Sequence, residues 1–360
     1  MKIAIDTQTT LGQKTGFGFY VKNLVENLKK VDPNDDYVLI SPDSTRDFSA
    51  PQRWWWDQFS FPKAARKAKV EILHQPCFSA PIFYRGKLII TVHDLISMHF
   101  PENLPFFSRM FYSKWMPFTY KRADKIIAIS EDTKKDIIKR LGIASKKIQV
   151  IHSAVSADFK PIKDRNILEE VKLKYRTGKQ FILDVGTLEP RKNLPFLVRA
   201  FNLAIKEHNI PHNLVLSGKK GWYYEGLFKL VKELKLSNRV IFAGYVPEGD
   251  LPALYSAADL FAYPSMYEGF GFPPLEAMAC GTPVVCSNTS SMPEVVGGAG
   301  IALSPENEEK WAEEIVKILY DKELQKALSK AGLQQAKKFS WEKTAKETIE
   351  VYKEVLKNEN

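Results

Sequence analysis

Cysteine is scarce in this 360-residue chain: Cys77, Cys280 and Cys286 are too few and too scattered to form a framework. That excludes a disulfide framework and a cysteine-based zinc site. No run of 18 uncharged apolar residues occurs, so no helix is expected to span a bilayer. The opening K-I-A-I-D reads as a buried strand and lacks a signal peptide's apolar region, so the expected compartment is the cytoplasm. A Walker A sequence is absent. Gly16 and Gly18 lack the third glycine of G-x-G-x-x-G, because position 21 is Val21, so a dinucleotide fingerprint fails as well. The histidines show no ligand spacing, which argues against a metal-dependent hydrolase. There is neither a long internal repeat nor a low-complexity segment.

Apolar residues make up 44% and charged residues 26%, ordinary for a globular protein and incompatible with disorder. At about 150 residues per domain the length predicts two domains. The net charge of +10 is unevenly spread. Residues 1–160 hold 25 basic and 16 acidic residues, hence +9, which leaves +1 for the remainder. The first half is therefore the part expected to meet an anionic partner. The basic residues form no single run and no nucleic-acid module is present, so the partner is read as something other than nucleic acid.

Short apolar runs alternate with amphipathic stretches along the whole chain. Strands are predicted at 2–6, 37–41, 71–74, 88–93, 125–129 and 148–151, then at 181–185, 214–217, 240–242, 260–263, 284–287 and 300–303. Helices are predicted at 18–30, 105–122, 131–141 (with Ser130 as N-cap), 195–206, 227–234 and 274–279, and through the tail from 305. The polar stretch 162–166 reads as the linker. The pattern predicts an α/β chain of two Rossmann-like, doubly wound domains, 1–163 and 164–340, with a helical segment 341–360 packing back on the first. Open sheets of this kind bind ligands beyond the carboxyl ends of their strands, so the cleft between the two domains is the expected site.

The most informative segment is M-Y-E-G-F-G-F-P-P-L-E-A-M-A-C-G-T-P at 266–283. Gly269 and Gly271 allow close backbone approach to a ligand, and the helix opened by Pro273 and Pro274 offers N–H groups to an anion such as phosphate. Glu268 and Glu276 are placed to accept hydrogen bonds from sugar hydroxyls. Taken singly, Glu276 also reads as a first-turn acid favoured by the helix dipole, and Glu268 as a solvated loop residue.

Spacing and context resemble the E-x7-E motif of glycosyltransferase family 4, retaining enzymes of the two-domain GT-B architecture. The likeness extends to G-T-L-E-P-R-K-N at 186–193, T-V-H-D-L-I at 91–96, A-I-S at 128–130 and S-S-M-P-E-V-V-G-G-A-G at 290–300. By that resemblance Glu268 contacts the donor hexose, the backbone of Gly269, Phe270 and Gly271 meets hexose and phosphate, and Glu276 binds the ribose. Gly186, Arg191 and Lys192 fall at the nucleotide diphosphate, where fixed cations stabilise a leaving group that accumulates charge. Many relatives carry Arg where this chain has Thr187, so the grip on phosphate rests on Arg191 and Lys192. His93 falls beside the transferred sugar, Asp94 and Ser130 on the acceptor side, and Gly16 in a glycine-rich loop (12–19) between donor and acceptor.

No two aspartates are separated by one residue, so the D-x-D metal signature of the other large glycosyltransferase architecture is missing, and no metal or cofactor is expected. The resemblance implies transfer of a hexose from a nucleotide sugar to a saccharide or lipid-linked saccharide. The variants G-T-L-E-P-R-K-N and G-K-K-G-W point to bacterial mannosyltransferases of cell-surface polysaccharide assembly, with GDP-mannose as donor. UDP-glucose, UDP-N-acetylglucosamine and a non-catalytic nucleotide-sugar-binding protein stay open as alternatives. Residues 105–125 mix aromatics with Arg109, Lys114, Lys121, Arg122 and Lys125, a composition suited to the inner face of an anionic membrane or to a core-facing helix. Arg53-Trp54-Trp55-Trp56 is a second candidate for membrane or acceptor contact.

Overall fold

In the computed structural model, which describes residues 1–11, 16–43 and 48–357, the chain divides into two compact units. The first joins Met1–Ala154 with Phe339–Asn360; the second is Val155–Lys338. Each is built on one six-stranded parallel sheet. In the first unit β1 (Lys2–Asp6), β2 (Asp36–Ile40), β3 (Ile72–Gln75), β4 (Lys87–Val92), β5 (Lys125–Ala128) and β6 (Ile148–Val150) stand in the order β2-β1-β3-β4-β5-β6. The second holds β7 (Phe181–Val185), β8 (Asn213–Ser217), β9 (Val240–Gly244), β10 (Leu260–Tyr263), β11 (Val284–Ser287) and β12 (Ile301–Leu303), ordered β12-β11-β10-β7-β8-β9. Every residue of β3, β5, β10 and β11 is buried, as expected of parallel strands covered on both faces.

The topology fixes where ligands can sit. Strand order reverses between β1 and β3 in the first unit and between β7 and β10 in the second, and a crevice opens beyond the carboxyl ends at such a point. In the first unit that point is filled. Arg53 is buried among the ends of β1 and β3: Nη2 pairs with Asp6 and, at 2.7 Å, with Asp57, and Nη1 donates to Gln8 at 2.8 Å. Its guanidinium lies 4.4 Å from the Phe78 ring centre. Trp56 Nε1 and Gln75 Nε2 also donate to Asp6. The W-W-W segment is thus divided: Arg53 and Trp56 are interior, and only Trp55 is largely exposed.

Helix boundaries follow local chemistry. Glu131–Leu141 starts at Ser130, whose Oγ accepts from Thr133 N at 3.0 Å. It carries Glu131 and Asp132 in its first turn and ends at Gly142, in the left-handed region at φ 66°. The single helix expected at 105–122 is interrupted. Phe106–Met110 is α-helical, Phe111–Trp115 widens into a π-turn, and Met116–Thr119 resumes. Pro117 cannot donate the amide bond that a regular helix needs there. Pro62 follows the π-turn Trp56–Ser60 in the same way.

The stretch read as a linker, 162–166, lies within the second unit: Ile162 N donates to Ser256 Oγ, and Asp164 caps the helix Arg165–Tyr175. The terminal helix Trp341–Lys357 belongs to the first unit. Tyr352 OH and His74 Nδ1 lie 2.7 Å apart, Trp341 meets Tyr20 edge-on, and Lys125 pairs with Glu354.

Candidate functional site

The β7/β10 switch point carries a cluster of charged side chains, Arg191 and Lys192 with Glu189 and Glu268. The chain leaving β7 turns through Pro190–Lys192, and the chain leaving β10 runs through Glu268 into the helix Phe272–Ala279. Glu268 Oε1 accepts from four donors: Lys192 Nζ at 2.5 Å, Arg191 Nη1 at 2.6 Å, Ser265 Oγ at 2.7 Å and Tyr263 OH at 2.8 Å. Among the described residues no hydrogen bond falls on its Oε2. Burial alone would raise this carboxyl, yet Arg191 and Lys192 hold it down at about 2. Arg191 also pairs with Glu189 and donates to the Tyr267 carbonyl. Lys192 is buried over the Tyr263 ring, 4.8 Å from its centre, and burial together with Arg191 pushes its ammonium down. Behind it lies Asp184, buried and with no hydrogen-bond partner among the described residues; burial drives its carboxyl up. The cations and carboxylates of this cluster nearly cancel in charge.

The loop after Glu268 is held from outside. Ser290 Oγ accepts from Glu268 N at 2.9 Å, and Ser291 Oγ donates to the Phe270 carbonyl at 2.6 Å, with the Glu268 carbonyl 3.0 Å away. Gly271 sits at φ 110°, and a Cβ there would lie 2.3 Å from Met292 Cε, so glycine is required. Phe270 is buried with its ring against Phe272, so any ligand contact at that position is through the backbone. Gly186 lies against the Lys192 stem, where a Cβ would come within 3.2 Å of Cε. The helix begins two residues earlier than expected, so Glu276 lies in the second turn, not the first. The dipole reading of Glu276 therefore falls away. Burial raises its carboxyl to about 7, opposed by a 2.8 Å bond from Tyr255 OH.

The remaining candidates stand on the first unit. His93 is buried, flanked edge-on by Phe17 and Tyr20, with Nε2 2.9 Å from the Pro76 carbonyl. A carbonyl can only accept, so Nε2 carries the proton and Nδ1 is an acceptor; burial lowers the imidazole to about 4, leaving it neutral. Asp94 Oδ1 accepts from Ile96 N. Ser130 is fully buried, donating to Thr133 Oγ1, which donates to the His93 carbonyl. Its hydroxyl caps a helix and shores up His93, so direct acceptor contact by Ser130 does not fit. Gly16 opens the helix Gly16–Val31, and among the described residues nothing lies within 4 Å of where its Cβ would stand. The preceding part of its loop, residues 12–15, lies outside the described residues.

Two family profiles match: Glycosyltransferase Family 4 over residues 18–159 and Glycosyl transferases group 1 over residues 167–335. The O-antigen chain mannosyltransferase B of Escherichia coli is 36% identical over 304 residues, covering 84% of this chain and 77% of that protein. The chain belongs to glycosyltransferase family 4. A serotype-specific mannosyltransferase WbdA of Escherichia coli is 34% identical over 278 residues, 76% of this chain but 34% of that longer protein. Among solved structures, sucrose-phosphate synthase from Thermosynechococcus elongatus aligns at TM-score 0.76 and 20% identity, covering 99% of this chain and 100% of that one. Anabaena HepE in complex with UDP and glucose aligns at 0.74 and 18%, covering 98% and 100%. These structural likenesses establish the fold, two Rossmann-like units of GT-B type.

Within this family 4 enzyme the structure joins Glu268, Arg191, Lys192 and Gly186 in one cluster and gives Glu276 a separate partner. Sequence reasoning assigned no role to Tyr263, Ser265, Ser290, Ser291 or Asp184. The S-S-M-P segment was the available signal for the two serines, since paired hydroxyls after a strand can hold a loop.

The raised carboxyl of Glu276 has a pH consequence. The resemblance sets Glu276 on the ribose; on that assignment, because a carboxylate accepts from hydroxyls more strongly than a carboxylic acid, affinity for a nucleotide sugar is expected to rise between pH 6 and 8 as Glu276 ionises. Folding stability moves the other way. The folded carboxyl is raised above its unfolded value, so its contribution is present below about pH 4.5 and is lost as pH rises through about 7. Calorimetric titration of wild type and Glu276→Gln checks the binding claim, and a pH-independent affinity in wild type contradicts it.

Proposed function

We propose that this glycosyltransferase moves mannose from GDP-mannose to a hydroxyl of a saccharide or lipid-linked saccharide, with retention and without a metal cofactor. The observation that carries the reading is Glu268: one carboxylate oxygen is saturated by two cations and two hydroxyls, and the other carries no protein hydrogen bond among the described residues. That oxygen is suited to accept from a hexose hydroxyl. A carboxylate held at about 2 between two cations is a poor nucleophile, which favours same-face attack over a covalent glycosyl-enzyme. In that step the bond from C1 to the diphosphate breaks, the acceptor oxygen bonds to C1, and its proton passes to the leaving phosphate. Arg191 and Lys192 take up the charge that appears on the diphosphate, and Glu276 holds the ribose. Neutral His93 accepts from a sugar hydroxyl through Nδ1. The names of the relatives, O-antigen and serotype-specific mannosyltransferases, support mannose as the sugar. Among the described residues no group of three His, Cys, Asp or Glu is placed to hold a metal ion, and transfer is expected to persist in EDTA.

A nucleotide-sugar panel read by thermal shift tests the donor. A ligand at 100 times its Kd stabilises by about 2.7 kcal/mol, and GDP-mannose is expected to give the largest shift. A shift with UDP-glucose or UDP-N-acetylglucosamine and none with GDP-mannose overturns the mannosyl reading. Arg191→Ala and Lys192→Ala are each expected to weaken nucleoside diphosphate binding; unchanged calorimetric affinity in both contradicts the assignment of the cations.

The proposed place of work is the cytoplasmic face of a membrane, as a peripheral protein. No helix among the described residues is long and apolar enough to cross a bilayer. Phe106, Phe107 and Phe118 are exposed beside Arg109, Lys114 and Lys121. Basic residues near an anionic surface gain about 1 kcal/mol each, screened by salt. Co-sedimentation with anionic liposomes is expected at low salt and lost at high salt; none at low salt contradicts it.

A further inference from the structure

The interrupted helix at 106–119 and the helix Ala50–Trp55 enclose a groove of about 650 Å³ within the first unit, far in sequence from Glu268 and its partners. That volume lies in the range of small-ligand sites, about 300–1,000 Å³. Trp54 and Trp115 form one wall, their ring centres 6.1 Å apart and tilted by 59°. Phe111, which is buried, and Pro51 also line the groove. At the mouth Phe107, Met110 and Phe118 are 77%, 50% and 59% exposed. The wall is almost entirely hydrocarbon. The Trp115 indole N–H is buried and finds no acceptor among the described residues. A saccharide would leave its hydroxyls unpaired there, whereas an alkyl or isoprenyl chain would not.

Among the described residues Lys114 is the one charged side chain lining the groove, and exposed Arg109 and Lys121 flank it in the same helical run. This charge selects the occupant's head. It also disfavours a second copy of the chain, which would set like charges against each other.

We propose that the groove seats the hydrocarbon chain of an anionic lipid, with the phosphate head at Lys114. The proposal rests on the lipid-linked acceptor reading for its place in the reaction: the groove would hold the acceptor by its tail.

The test uses the full chain and alkyl phosphates of 8 to 16 carbons, brominated near the chain end and kept below their micelle concentration. Bromine in the groove quenches Trp54 and Trp115. Saturable quenching at one equivalent is expected, lost when both are replaced by Phe. Each added methylene should tighten binding about fourfold until the groove is full, after which affinity levels off. Met110→Glu and Lys114→Glu, both at exposed positions, should weaken binding at least tenfold while thermal melting stays unchanged. Ala50→Leu, which narrows the groove without adding charge, should move the plateau to shorter chains. Absence of saturable quenching overturns the proposal. So does affinity that climbs without a plateau and ignores these variants, the behaviour of chains partitioning onto a surface. The titration uses neither donor nor transfer, so its failure leaves the transferase reading standing, and failure of transfer leaves the groove standing.

Discussion

Glu268→Gln is expected to lower turnover by about 10- to 150-fold, the worth of a hydrogen bond to a charged group at roughly 1.5–3 kcal/mol. The amide keeps the shape but loses the charge that organises Arg191, Lys192, Tyr263 and Ser265. Ground-state binding should respond differently. Arg191 stays protonated, and without the Glu268 charge it is freer to grip a diphosphate. Free nucleoside diphosphate is therefore expected to bind as tightly as in wild type or more so, while kcat falls. Steady-state kinetics with calorimetry on the same variant separates the two effects. Parental turnover in Glu268→Gln removes this carboxylate from the reaction.

Arg53→Met is expected to cost about 3–5 kcal/mol of folding stability, the usual loss when one partner of a buried ion pair is removed. Asp6 and Asp57 would be left facing each other in the interior, and burial already raises Asp57 to about 7 against the pull of Arg53. The Arg53 contact with the Phe78 ring would go as well. Urea unfolding measures the loss, and a variant within 1 kcal/mol of wild type would mean that the cluster is dispensable. Cys77 follows Gln75 by two residues, and Gln75 Nε2 donates to its carbonyl, so the first unit's switch-point loop shares this network.

Periodicity in the sequence located the sheets because parallel strands read as unbroken apolar runs. Lys2–Asp6, Phe181–Val185, Leu260–Tyr263 and Val284–Ser287 are bounded as the runs predict. Glu131–Leu141 was legible from its cap, its end charges and its terminal glycine. The misreadings have physical causes. Arg165–Tyr175 buries only Val171, so a polar helix with a weak apolar face looked like linker at its start. The π-turns depend on prolines that lie after the turn they widen. Arg53 is charged and adjacent to three tryptophans, and nothing local announces that Asp6 and Asp57 bury it.

In the site, motif spacing identified Glu268, Glu276, Arg191 and Lys192, but charges that cancel within a cluster are a property of three dimensions. The sequence reading set Glu268 on the sugar and the two cations on the phosphate as separate duties. The structure ties them together through one carboxylate oxygen. Ser290 and Ser291 reach Glu268 from more than 20 positions away, so the S-S-M-P segment can be noticed in the sequence but the loop it holds cannot be named from it.

Retaining transfer of mannose from a nucleotide sugar is the reaction proposed for this site. Proton NMR of the product formed from GDP-mannose, with membrane lipid extract as acceptor and EDTA present, addresses it most directly. An α-mannoside, matching the donor's anomeric configuration, is expected with wild-type Glu268 and at a strongly reduced rate with Glu268→Gln. A β-linked product would contradict it.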